Sequence, residues 1–110
     1  MNVNFNGFGE NAATFIADGT LTDAGVPVKM KDNGTVAKCD SGDSFCGVCI
    51  GVRGGYAVVQ LSGYVTVKSD KKIGVGYKKL ASSADGVSVS TTGREYLVID
   101  STDTSVGFIL

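Results

Sequence analysis

Apolar residues in this chain gather in short clusters, most of them closed by glycine, asparagine or aspartate, and nowhere do they recur with the spacing of a helix face over a helix-length, glycine-free window. The most apolar stretch runs from Phe45 to Val67. In it, Val48-Cys-Ile-Gly-Val52 and Tyr56-Ala-Val-Val-Gln-Leu61 flank Arg53-Gly54-Gly55. A Gly-Gly pair between β-prone runs supplies the positive φ angles of a tight hairpin turn. A second break at Ser62-Gly63 leads into Tyr64-Val-Thr-Val67, so the stretch reads as a three-stranded meander at the centre of the core.

The same punctuation recurs along the chain. Residues 12–17 form a strand candidate closed by Asp18-Gly19, and residues 21–25 a turn. Residues 26–30 and 35–39 flank Asp32-Asn33-Gly34, and Asn-Gly is among the strongest short-range hairpin signals. Pro27 places the first of these runs at a sheet edge or near a strand start. Asp40-Ser-Gly-Asp-Ser44 is a polar turn and Lys68-Ser-Asp-Lys-Lys72 a charged loop. Residues 73–77 and 78–80 follow, then a turn at Ser82-Ser-Ala-Asp-Gly86, the period-two run Val87-Ser-Val-Ser90, a turn at Thr92-Gly93, and the strands Glu95-Tyr-Leu-Val-Ile99 and Ser105-Val-Gly-Phe-Ile-Leu110. The closing Phe108-Ile-Leu110 is too apolar to be left in water, so the last strand is expected inside the sheet or in a subunit contact. The pattern predicts an all-β fold: a single small β-barrel or sandwich of short antiparallel strands over residues 12–110, with an extended N-terminal arm over residues 1–11.

That first segment, Met1-Asn-Val-Asn-Phe-Asn-Gly-Phe-Gly-Glu-Asn11, sets Val3, Phe5 and Phe8 among asparagine and glycine. Its apolar surface is too small for it to fold alone, yet Val3 and Phe5 alternate as a strand would. It fits a frayed terminus, a first strand of the domain, or an arm that orders on a partner.

Composition narrows the function classes. With 110 residues the chain fits one domain, and a net charge of -1 gives no polyanion-binding surface, so direct nucleic-acid binding is not expected. No apolar run approaches the roughly 20 residues of a membrane helix, and residues 1–20 carry no secretory signal pattern; a soluble protein without membrane contact is expected. The absence of histidine removes the commonest general base and metal ligand. Cys39, Cys46 and Cys49 cannot all pair within one molecule, so free thiols are the expectation.

Chemistry is scarce. Cys46-Gly-Val-Cys49 enters a β-prone run and not the helix start that lowers a redox thiol's pKa, and on a strand positions three apart face opposite ways. Zinc would need Asp40 or Asp43 as a fourth ligand beside the three cysteines. Small buried side chains are the plainer account. Val28-Lys29-Met30-Lys31 resembles the lysine-methionine pair of biotin-carrying β-barrels, but there the lysine sits at a hairpin tip, and here the tip is Asn33-Gly34. Gly74-Val-Gly76 is too short for a dinucleotide fingerprint. Asp85, Glu95, Asp100 and Asp103 lie in or beside turns, and their spacing builds no catalytic constellation, so neither an enzyme nor a cofactor is expected.

Gly25-Val-Pro-Val-Lys-Met30, the Asp32-Asn-Gly34 turn, Phe45-Cys-Gly-Val48, Ala57-Val-Val-Gln-Leu-Ser-Gly-Tyr-Val65 and Gly93-Arg-Glu-Tyr-Leu-Val-Ile99 together resemble the small β-rich head decoration proteins of tailed bacteriophages. The resemblance covers most of residues 20–100. It implies a non-enzymatic protein on the outer surface of the virion capsid, made in the host bacterial cytoplasm. Such a protein assembles as a homotrimer or another small oligomer and cements neighbouring subunits of the major capsid protein in the expanded head. It also implies a capsid-binding arm, here Asn2, Val3, Asn4, Phe5 and Phe8, with Val3, Phe5 and Phe8 as anchors. The alternative from another class is a small intracellular metal- or thiol-binding β module using Cys39, Cys46 and Cys49.

Overall fold

The computed structural model describes residues 11–83 and 86–110, and its regular elements are all β-strands. The first half of the chain supplies β1 (Asn11–Ala17), β2 (Pro27–Asp32), β3 (Thr35–Lys38), β4 (Gly47–Arg53) and β5 (Tyr56–Ser62), which close into a barrel in the order β1-β3-β2-β4-β5. The second half supplies β6 (Tyr64–Lys68), β7 (Gly76–Ser83), β8 (Gly86–Val89), β9 (Arg94–Ser101) and β10 (Ser105–Ile109), a five-stranded sheet in the order β6-β10-β9-β7-β8. Its two ends meet at a parallel bridge between Ser69 and Val87.

The two halves are wound alike. Followed from its first strand, each passes to its fifth, fourth, second and third strands through antiparallel pairings, and returns to the first by a parallel one. The sequence keeps a trace of this. Gly25-Val-Pro-Val-Lys29 and Gly74-Val-Gly-Tyr-Lys78 each enter the second strand of their half, the glycines holding φ of 84° and 89°.

The expected hairpins form at Asn33-Gly34 and at Gly54-Gly55, where φ of 58° and 83° provides the turn geometry that non-glycine residues resist. Pro27 is the first residue of β2, where its missing N–H costs the ladder nothing. The meander over Phe45–Val67 divides in two. β4 and β5 pair from Arg53↔Tyr56 to Val48↔Gln60, but β6 leaves at Gly63 and pairs with β10. Alternation continues across the break, so period alone does not register that the chain has changed sheets. The buried Gln60 side chain holds this crossing, donating through Nε2 to the carbonyls of Ser62 and Tyr64, both at 3.0 Å. Residues 73–75 precede β7 instead of joining it, and β7 runs on through Ser82 and Ser83, which the sequence pattern assigns to a turn.

Two cores result. The buried barrel core is without aromatics, made of Leu21, Val26, Val28, Val36, Cys49, Ala57 and Val59, with half-buried Phe15 packed against it. The second core holds the aromatics, with Phe45 stacked on Tyr96 at 5.1 Å and Phe108 set edge-on to Phe45 at 6.0 Å. Phe108, on the apolar last strand, is fully buried, and β10 lies between β6 and β9. Phe45 belongs to the first half. The segment 39–46 carries it across, clasped to β7 by hydrogen bonds from Gly42 N to Ser82 O (2.8 Å), from Ser82 N to Asp43 O (2.9 Å) and from the Ser82 hydroxyl to Asp40 O.

Candidate functional site

The arm residues Asn2, Val3, Asn4, Phe5 and Phe8 lie outside the described residues. The described chain begins at Asn11, which pairs with Ser62 and donates from Nδ2 to its hydroxyl at 3.1 Å. The chain therefore enters β1 two residues from Tyr64, at the seam between the halves.

Strand alternation leaves two apolar surfaces facing solvent. On the barrel, Ile16 lies opposite Tyr56, Val58 is a diagonal neighbour, and Ile50 is pushed out by the irregularity between Cys49 and Gly51. On the second sheet, cross-strand register lines up Tyr77, Leu97, Ile109 and Tyr64 in one row across β7, β9, β10 and β6. Tyr77 is 69% exposed and Leu97 36%, with Ile109 and Tyr64 half-buried. The Tyr64 ring covers Gly107, where a Cβ would meet its hydroxyl at 2.0 Å. Neither surface is legible in the sequence, because β-prone runs show which positions share a face but not which strands will be neighbours.

The three cysteines are free and divided between the cores: Cys39 in the second, Cys49 in the barrel, and half-buried Cys46 against the barrel core. Cys46 precedes β4, so strand alternation does not run through the pair and both thiols pack on one cluster. Burial pushes all three thiols up, Cys39 to about 11, which keeps them protonated and poorly nucleophilic at neutral pH. Among the described residues, no three cysteine or carboxylate side chains converge as a metal site would require.

Lys29 is tied down on β2, its ammonium 2.7 Å from Asp43 and 3.4 Å from Asp40. The hydrogen bond to Asp43 raises the Lys29 pKa and holds the Asp43 carboxyl below its usual range. Asp43 also accepts from the Asp40 backbone N–H at 2.9 Å, so this ion pair shapes the clasp. Glu95 faces Lys79 across β9 and β7, and Asp100 lies opposite Gly107. An open groove of about 630 Å³ runs between the halves, with Asp23, Ala24, Gly25 and Val26 on one wall and Thr66, Val67, Lys68 and Ser105 on the other. No helix among the described residues is long and apolar enough to cross a membrane. The chain matches no protein-family model, no curated protein and no solved structure.

Proposed function

We propose that this chain is a decoration protein of a tailed-bacteriophage head, a non-enzymatic cement on the outside of the expanded capsid. The observation that carries the proposal is the apolar barrel face of Ile16, Tyr56, Val58 and Ile50, a surface suited to another protein. The sequence resemblance supplies the class of partner, the major capsid protein, and the oligomer, with a trimer favoured. Selective binding to the expanded lattice stabilises that lattice by mass action, and no active site is needed. Many copies acting together make modest affinity per site sufficient. The segment with Val3, Phe5 and Phe8 adds an anchor, an extended strand on a capsid edge giving backbone hydrogen bonds and side-chain contacts.

Co-sedimentation with expanded capsids stripped of their decoration tests this. The full chain is expected to bind saturably, a version lacking residues 2–10 to bind at least tenfold more weakly by loss of ~1.4 kcal/mol or more, and Tyr56→Asp to bind weakly as well. Absence of binding by the full chain overturns the proposal.

A further inference from the structure

We infer that the groove between residues 23–26 and β6 binds an extended peptide segment of another protein, which joins the second sheet as a strand along the free edge of β6. This inference does not rest on the capsid reading. It rests on backbone groups that the fold leaves open. Leu110 N donates to the Gly63 carbonyl at 2.9 Å and Ser69 N to the Thr104 carbonyl at 3.0 Å, and the register between them is unbroken. Residues 63, 65, 67 and 69 therefore bond β10, while Tyr64, Thr66 and Lys68 turn their N–H and C=O groups the other way. At the two ends some of these groups are in use. The Tyr64 carbonyl accepts from Gln60 Nε2 at 3.0 Å, and the Lys68 carbonyl lies against Gly86 at the bridge between Ser69 and Val87. Between them, Thr66 N–H, Thr66 C=O and Lys68 N–H meet no partner among the described residues.

An added strand satisfies all three. Running antiparallel to β6, one of its residues exchanges both bonds with Thr66, and the residue two before it accepts from the Lys68 N–H. The surroundings set the chemistry of the segment. The groove of about 630 Å³ beside Thr66 and Lys68 is continued by a second of about 400 Å³, which shares Ala24, Gly25 and Thr66 with it and reaches Ile50 and Gln60. The segment therefore has room beyond its bonded residues. The facing wall, Ala24 and Gly25, carries little side-chain bulk, so a backbone can come close. Val26 and Val67, both buried, line the same groove and favour a small apolar residue turned inward. Asp23 and Lys68 stand exposed on opposite walls, outside every ion pair among the described residues. Complementary charge in the segment is one basic and one acidic residue.

The test uses the full chain, without capsids. In the free protein the Thr66 amide proton is expected to exchange with deuterium at least about tenfold faster than those of Val65 and Val67. A Thr66 amide as protected as its neighbours overturns the inference, because the edge is then already covered by the chain itself or by a second copy. A displayed library of random nine-residue peptides is next selected on the chain. The enriched peptides are expected to protect the Thr66 and Lys68 amides. N-methylation at one alternating set of peptide positions should weaken them about tenfold or more, and at the other set leave them unchanged. Ala24→Trp, a substitution at an exposed position that fills the groove, should weaken them as much. Failure to enrich any peptide, protection only on the Ile16 and Tyr56 face, N-methylation losses without alternation, or undiminished binding to Ala24→Trp each overturns the inference. Capsid binding plays no part in these readouts, so their failure and that of the decoration reading are separable.

Discussion

Two glycines show how single residues set distances between strands. A Cβ on Gly86 would lie 1.9 Å from the carbonyl oxygen of Lys68, which is backbone and cannot move aside without parting β8 from the end of β6. At Gly107 the obstacle is the tip of the Tyr64 ring, which can swing outward. Gly86→Ala is therefore expected to cost about 3 kcal/mol and Gly107→Ala about 1 kcal/mol, read as shifts of the urea midpoint at constant slope. Equal small losses at both would mean that the second sheet does not depend on the close approach that joins its ends. Glycine was legible in the sequence as turn punctuation. Its use as a spacer was not, because the atoms that exclude a side chain come from strands distant along the chain.

At the scale of elements, local chemistry told most. The Asn33-Gly34 and Gly54-Gly55 hairpins and the strand status of Glu95–Ile99 and of Ser105–Ile109 followed from turn residues and alternation. The segment 39–46 was legible only as a polar turn. Its role as a clasp depends on Ser82, forty-two residues from Asp40, and on Lys29 holding Asp43. That ion pair makes the clasp sensitive to pH in a definite direction. Asp43 titrates lower when folded than its ordinary 3.8, so its contribution is present above about pH 4 and is lost as pH falls through the folded value. Lys29 titrates higher when folded than its ordinary 10.5, so its contribution holds below that pH and is lost above it. The difference in Tm between the parent chain and Asp43→Asn should be constant from about pH 5 to 9 and shrink toward zero in stronger acid. A difference that persists undiminished at pH 2 would show that Asp43 acts through its shape and not its charge.

For the whole molecule, the all-β class was legible and the division into two similarly wound halves was not. The halves share little beyond the Gly-Val entry at residues 25 and 74, since a barrel needs apolar residues on its inner face but not the same ones. The candidate surfaces were hidden for a related reason: Tyr77, Leu97, Ile109 and Tyr64 become neighbours only through strand order. Phe45 is the largest of the first-half side chains, with Cys39 and Val48, that enter the other core, where it stacks on Tyr96. Phe45→Ala is expected to cost about 3–4 kcal/mol and to resolve urea unfolding, followed by tyrosine fluorescence and by far-ultraviolet circular dichroism, into transitions that no longer coincide. Coincident transitions in that variant would show that the clasp and the remaining shared packing of Cys39 and Val48 suffice to couple the halves.

The common winding also orders events in time. Among the described residues, every strand pairing joins residues within 11–62 or within 64–110. No ladder among the described residues crosses from one half to the other, although the pairings that close each half are long-range, from Asn11 to Ser62 and from Tyr64 to Ile109, so each half has its own large loop-closure cost. The crossing of residues 39–46 onto β7 differs in kind, because it joins one half to the other. It requires Ser82 already in place, so a nascent chain can zip its first barrel before the residues that will grip it have been made.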